Sequence, residues 1–164
     1  MPTRVLVAYA TKLGSTREIA EAIGDTLRSA GLDPDVLPAA AVPDLAPYDA
    51  VIIGSALYAA HWQRDANRFV ARHLDALKAR PVWLFSSGPL DRRLAAADLP
   101  IAEQAATLTA PIRARGHRTF GGRLAPDAPD IDPQVLATHP IGDFRDWAAI
   151  RAWAASIAAA LAAD

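Results

Sequence analysis

Val5-Leu6-Val7-Ala8-Tyr9-Ala10-Thr11-Lys12-Leu13-Gly14-Ser15-Thr16 is the stretch that decides the fold. An apolar run stops at Ala10 and gives way to a hydroxyl-rich loop around Gly14, and an amphipathic pattern begins at Arg17. This order predicts a buried strand, a tight loop and a helix N-terminus. The backbone N–H groups of such a loop point outward and the helix dipole favours negative charge, so the loop suits an anion. Thr11, Ser15 and Thr16 add hydroxyl donors.

Working outward, Arg4–Ala10 reads as a strand covered on both faces, as near-continuous apolar runs do in parallel sheets. The first helix should run to about Ala30 along Ile19, Ile23, Leu27 and Ala30, capped by Ser15 or Thr16 at its start and by Gly31 at its end. Asp33–Pro38 is a weak second strand, and Pro34 assigns it to a sheet edge. Ala50–Ser55 is the third strand, followed by a loop of small residues and a helix from Arg64 to about Ala79. Val82–Ser86 is the fourth strand. A helix from about Ile101 to Arg115 follows, bent or shortened by Pro111. Arg118–Leu124 is the fifth strand, 125–142 a long proline-rich loop, and the last helix runs from an Asp146 cap to about Ala162. No stretch signals a hairpin. Alternation of this kind predicts one α/β domain over residues 1–164, with a parallel sheet between helix layers and ligands beyond the carboxyl ends of the strands.

Composition narrows the function. The chain has 164 residues, 52% of them hydrophobic, with a net charge of −1. It can bury a full core, and it lacks the basic face that a nucleic-acid partner needs. There is no cysteine, which removes disulfides, thiolate metal sites and cysteine nucleophiles. The four histidines show no metal-ligand spacing. No stretch is long and apolar enough for a membrane span, and a strand starting at Arg4 leaves no room for a signal peptide, so a cytoplasmic protein is expected. The loop is neither a Walker loop nor a dinucleotide Gly-x-Gly-x-x-Gly turn, and no acidic cluster at the strand ends would hold a divalent metal. A single phosphate monoester held by neutral donors fits it best.

Tyr9-Ala10-Thr11-Lys12-Leu13-Gly14-Ser15-Thr16 resembles the phosphate loop of flavodoxins, Ser/Thr-x-Thr-Gly-x-Thr, and the likeness extends over essentially the whole chain. The resemblance implies a flavodoxin-like three-layer sandwich with a five-stranded parallel sheet of order 2-1-3-4-5. It implies FMN, its phosphate on Thr11, Lys12, Leu13, Gly14, Ser15 and Thr16. The isoalloxazine would lie between Ala56, Leu57, Tyr58 and Ala59 on one side and Ser87, Gly88, Pro89 and Leu90 on the other. Leu13 stands where flavodoxins carry threonine, and the Ser87–Asp91 loop lacks their Gly-Asp and the tyrosine after it. Ser15-Thr16-Arg17-Glu18-Ile19-Ala20 and Val51-Ile52-Ile53-Gly54-Ser55-Ala56-Leu57-Tyr58-Ala59-Ala60-His61 are similar to segments of the flavodoxin-fold, menaquinone-dependent protoporphyrinogen oxidases of bacteria. The implied function is an FMN-dependent oxidoreductase linked to protoporphyrinogen or a quinone. A flavodoxin-type electron carrier and a flavin-free binding domain are the alternatives.

Other residues carry expectations of their own. Lys12, one of two lysines, could offset phosphate charge or stand solvated in its loop. Tyr58 and Trp62 could flank the ring or simply cap the core, and His61 could move a proton near the ring or be a loop histidine with no chemical role. Arg64, Arg68 and Arg72 form a basic stripe at helical spacing, and Arg92 and Arg93 follow the fourth strand. Both sets could grip an anionic substrate or face water. Trp147, Trp153 and Ile157 should pack in the core, with a second copy of the chain as the other cover for that helix.

Overall fold

The computed structural model of the chain describes residues 2–12, 14–88, 99–124, 133 and 142–164. Strand β1 (Arg4–Ala10) is followed by helix α1 (Ser15–Ser29) and strand β2 (Asp33–Pro38). Gly31 at φ 90° ends α1: its N–H donates to Arg28 O, and that of Leu32 to Leu27 O. This paired closure satisfies two helix-end carbonyls and needs a left-handed residue, which glycine adopts without strain. A 3-10 turn (Ala39–Ala41) leads to β3 (Ala50–Tyr58), the two-residue β4 (His61–Trp62), and helices α2 (Arg64–Arg72) and α3 (Leu74–Lys78). Then come β5 (Val82–Ser87), α4 (Glu103–Thr109), a 3-10 turn (Ala110–Ile112), β6 (Gly116–Phe120), β7 (Arg123–Leu124), β8 (Gly142–Asp143) and α5 (Trp147–Ala162).

The parallel ladder runs β2-β1-β3-β5-β6. This is the expected 2-1-3-4-5 once β4, which pairs only with β3, is left out of the count. Pro34 sits on the edge strand β2, where its missing N–H breaks no central ladder. Strand period two sorts the core onto two faces. Val5, Val7, Ile52 and Phe85 pack against Ile19, Ile23, Ile150 and Ile157 from α1 and α5. Leu6, Val51, Ile53 and Leu84 face Phe69, Val70, Leu77, Ala105 and Ile112 from the other helices. Each fully covered leucine or isoleucine contributes about 2 kcal/mol. Among the described residues no helix is long and apolar enough to cross a membrane.

Four expectations are corrected. Strand three extends through Tyr58 and turns back antiparallel into β4, so a hairpin exists where none is signalled. The helix after it breaks at His73, which leaves helical geometry at φ −108°, ψ 18°. Its apolar spacing continues through the break, so periodicity did not expose it. The helix expected over Ile101–Arg115 is α4 plus the 3-10 turn, with Pro111 as that turn's second residue. The expected fifth strand divides at Gly121-Gly122, and its second part joins β8 in a separate antiparallel ribbon. Residues 125–132 and 134–141 of the long loop lie outside the described residues.

Candidate functional site

Ladder register aligns Ala10, Ser55, Ser86 and Thr119 in one row, so β1, β3, β5 and β6 finish at one rim of the sheet. Four loops leave from that rim. In the first, Gly14 N–H donates to Thr11 Oγ1 at 2.9 Å, and Gly14 takes φ 90° as the residue before α1. No side chain caps α1. The caps expected from Ser15 or Thr16 are therefore corrected. Thr16 faces the sheet, fully buried, with its hydroxyl 2.7 Å from that of Ser87. The helix start instead presents backbone N–H groups and the positive end of its dipole.

The second loop is the hairpin. Its turn residues Ala59 and Ala60 take φ 49° and 62°, a left-handed pair normally built from Asn and Gly. Tyr58 and His61 are directly opposed and share one hairpin face, while Leu57 and Trp62 share the other. Trp62 is buried, and its Nε1–H donates to Ser86 Oγ at 2.9 Å. Its backbone N–H donates to Gln104 Oε1 at 3.0 Å, and Gln63 N–H donates to Ser55 Oγ at 2.8 Å. Ser86 Oγ also lies 3.1 Å from His117 Nε2. Trp62 is thus the root of the hairpin, which is the core-capping one of its two expected places. Tyr58 is 41% exposed, the one large hydrophobic so exposed among the described residues. The ammonium of Lys12 rests 3.4 Å from the centre of its ring. His61 is exposed, with Nδ1 2.7 Å from Ala59 O.

Glycines form the third and fourth sides. Gly88 N–H donates to Phe120 O at 3.1 Å. A Cβ on Gly88 would lie 3.1 Å from Leu57 Cβ, and one on Gly122 3.2 Å from Gly88 Cα. Three backbones therefore approach as only residues without side chains allow. They leave a floor of peptide groups beside the Tyr58 hairpin. Ser87, expected in this loop, ends β5 instead and is buried. Ala56 and Leu57 are half-buried on β3, and Ala59 is exposed. Leu13, Pro89 and Leu90, with Arg92 and Arg93, lie outside the described residues. Arg64, Arg68 and Arg72 face solvent.

Sequence reasoning missed Arg145. Its side chain is 3% exposed and grips Asp143 through Nε (2.8 Å) and Nη2 (2.7 Å). Nη1 lies 3.5 Å from Glu18 and 3.4 Å from Ser15 O, so this arginine ties the start of α5 to the start of α1. The hydrogen bonds from Arg145 hold the Asp143 carboxyl below its ordinary range, and Asp143 in turn holds the guanidinium above its own. The one sequence signal was an Asp-x-Arg pair directly before a helix cap. Among the described residues no cluster of His, Asp and Glu could hold a metal.

A dipole-backed loop, an aromatic hairpin and a glycine floor at the rim of a 2-1-3-4-5 sheet define a flavodoxin-type α/β protein. Residues 6–128 match the flavodoxin domain family, and the chain belongs to it. It is 28% identical over 92 residues to the protoporphyrinogen IX dehydrogenase (quinone) of Escherichia coli strain K12, and the match covers 55% of this chain and 51% of that protein. The corresponding Escherichia coli O157:H7 protein matches to the same extent. The matched stretch thus spans about half the length of these curated relatives. Among solved structures, an archaeal flavodoxin superposes with a TM-score of 0.67 at 16% identity, over 96% of this chain and 97% of that one. A Pseudomonas aeruginosa flavodoxin gives 0.65 at 17% identity, over 97% and 99%. At such identities the two structures show a shared fold.

Proposed function

We propose that the chain is an FMN-dependent oxidoreductase that passes electrons between a reduced organic substrate and a quinone. One observation carries the reading. The Thr11–Thr16 loop, Tyr58 and the close-packed Gly88 and Gly122 backbones meet at one rim, with the exposed Tyr58 ring at its side. An uncapped helix start suits one phosphate, and a glycine floor beside an aromatic suits a flat conjugated ring.

Bound FMN would supply the two-electron chemistry. The chain would supply binding and orientation. Thr11 fixes the loop by accepting from Gly14 N–H, and the N–H groups opening α1 would hold the phosphate. Arg145 holds Ser15 and Glu18 against the last helix and keeps that helix start in place. Trp62, locked to Ser86 and Gln104, fixes the hairpin that carries Tyr58, which would flank the ring. The glycine floor allows peptide groups to reach the ring edge, where their dipoles stabilise charge.

The relatives named for protoporphyrinogen IX and quinone make these the substrates to try first. FMN-loaded protein is mixed anaerobically with protoporphyrinogen IX, and the flavin is then reoxidised with a menaquinone analogue. Bleaching by the first and recovery with the second supports the reading. A flavin that neither compound affects, yet that exchanges electrons with a redox protein, contradicts it in favour of an electron carrier.

A further inference from the structure

We propose that Lys12 sets the reduction potential of the bound cofactor, acting from the ring of Tyr58 rather than from the phosphate. This rests on the FMN reading above and adds what tunes that site.

The phosphate loop holds a single cation, and two placements are open to it. On the phosphate it would be a simple counter-charge. The structure seats it on an aromatic ring: Nζ lies over Tyr58, 3.4 Å from the centroid, at cation–π distance. The ring is not free to wander after the lysine. Its hairpin is rooted by Trp62 on Ser86 and Gln104 and by Gln63 on Ser55. Three arginines near this rim pair with acids. Arg17 pairs with Glu21 at 3.0 Å, and Arg145 with Asp143 at 2.7 Å and Glu18 at 3.5 Å. Arg123 lies 3.9 Å from Glu18. Among the described residues no carboxylate pairs with Lys12.

The two placements differ in their consequences. The oxidised flavin ring is neutral, and uptake of two electrons and one proton leaves it with one negative charge. The phosphate charge is the same before and after. A cation on the phosphate therefore strengthens both forms equally and cancels from the potential. A cation beside the ring strengthens the reduced form alone and raises the potential. The seat on Tyr58 points to the second. The same geometry makes Tyr58 the positioning residue for Lys12.

The test compares wild-type protein with Lys12→Met, Lys12→Arg, Tyr58→Phe and Tyr58→Leu. Each is titrated with FMN, and the loaded protein is then reduced anaerobically with dithionite against reference dyes. Lys12→Met is expected to lower the affinity for reduced relative to oxidised FMN about ten-fold, a fall of ~30 mV in the two-electron midpoint. Tyr58→Leu should reproduce that fall, because the lysine loses its seat. Lys12→Arg and Tyr58→Phe should retain the wild-type midpoint, since cation and ring are both kept. An unchanged midpoint in Lys12→Met, with oxidised and reduced FMN weakened equally or not at all, overturns the proposal. If wild-type protein takes up no FMN, the cofactor reading falls first and this inference with it.

Discussion

The hydroxyls of Thr16 and Ser87 lie 2.7 Å apart, and both side chains are buried. One belongs to the helix start and the other to the end of β5, so the contact locks the start of α1 to the rim of the sheet. Each hydroxyl is the other's partner, and removing one strands its mate. Thr16→Val should cost about 1–3 kcal/mol, and Ser87→Ala a similar amount. The double variant should cost less than the sum by about 1 kcal/mol. Urea unfolding of cofactor-free protein measures all three, and strict additivity would mean the contact is not coupled.

The Ala59-Ala60 turn stores strain that the sequence could relieve. Both residues hold positive φ, a conformation that costs an ordinary L-residue roughly 1–2 kcal/mol. Replacement by Asn-Gly should raise stability by about 1 kcal/mol, since that pair favours this turn. The gain appears as a higher melting temperature with Tyr58 and its environment retained. A lower melting temperature would show that the alanines make contacts worth more than the strain.

Gly54 is required by packing rather than by backbone angle. A Cβ there would lie 1.9 Å from the Phe85 ring, which is fully buried on the neighbouring strand. Gly54→Ala must displace that ring and should cost about 3 kcal/mol, at the upper end for overpacking. Gly54→Ala combined with Phe85→Leu should recover part of the loss, and chemical denaturation reads both.

His73 makes stability depend on pH. It is buried at the α2–α3 break with its ring 4.8 Å from that of Phe69. Burial pushes its pKa below the ordinary histidine value, Arg72 pushes the same way, and Asp44 opposes them. The neutral ring is thus favoured in the folded state. Its contribution is complete above the ordinary pKa near ~6.5 and is lost as pH falls toward the lower folded value. Wild-type stability should therefore drop on acidification from pH ~7 to ~5. His73→Gln should flatten that part of the profile. Parallel profiles for the two proteins would assign the loss to other groups.

What the sequence made legible follows from how local each signal is. Arg4–Ala10 and Asp33–Pro38 matched to the residue, because a continuous apolar run and an edge proline carry their own chemistry. The order of the parallel strands followed from the resemblance. The hairpin escaped notice because Ala59-Ala60 is not a turn-forming pair, and without the hairpin Trp62 reads as a rim aromatic. The break at His73 was hidden since Phe69, Val70, Leu74 and Leu77 keep helical spacing across it. Arg145 was out of reach for another reason: its partners Asp143 and Glu18 meet only once the last helix packs beside the first. Lys12 on Tyr58 is likewise a product of topology, joining the loop after β1 to the end of β3.

Titration of the purified protein with FMN tests the central claim most directly. The account predicts one FMN held per chain, with flavin fluorescence quenched on binding and the yellow colour retained through gel filtration. A protein that stays colourless and leaves FMN fluorescence unchanged, while folded by circular dichroism, would contradict it.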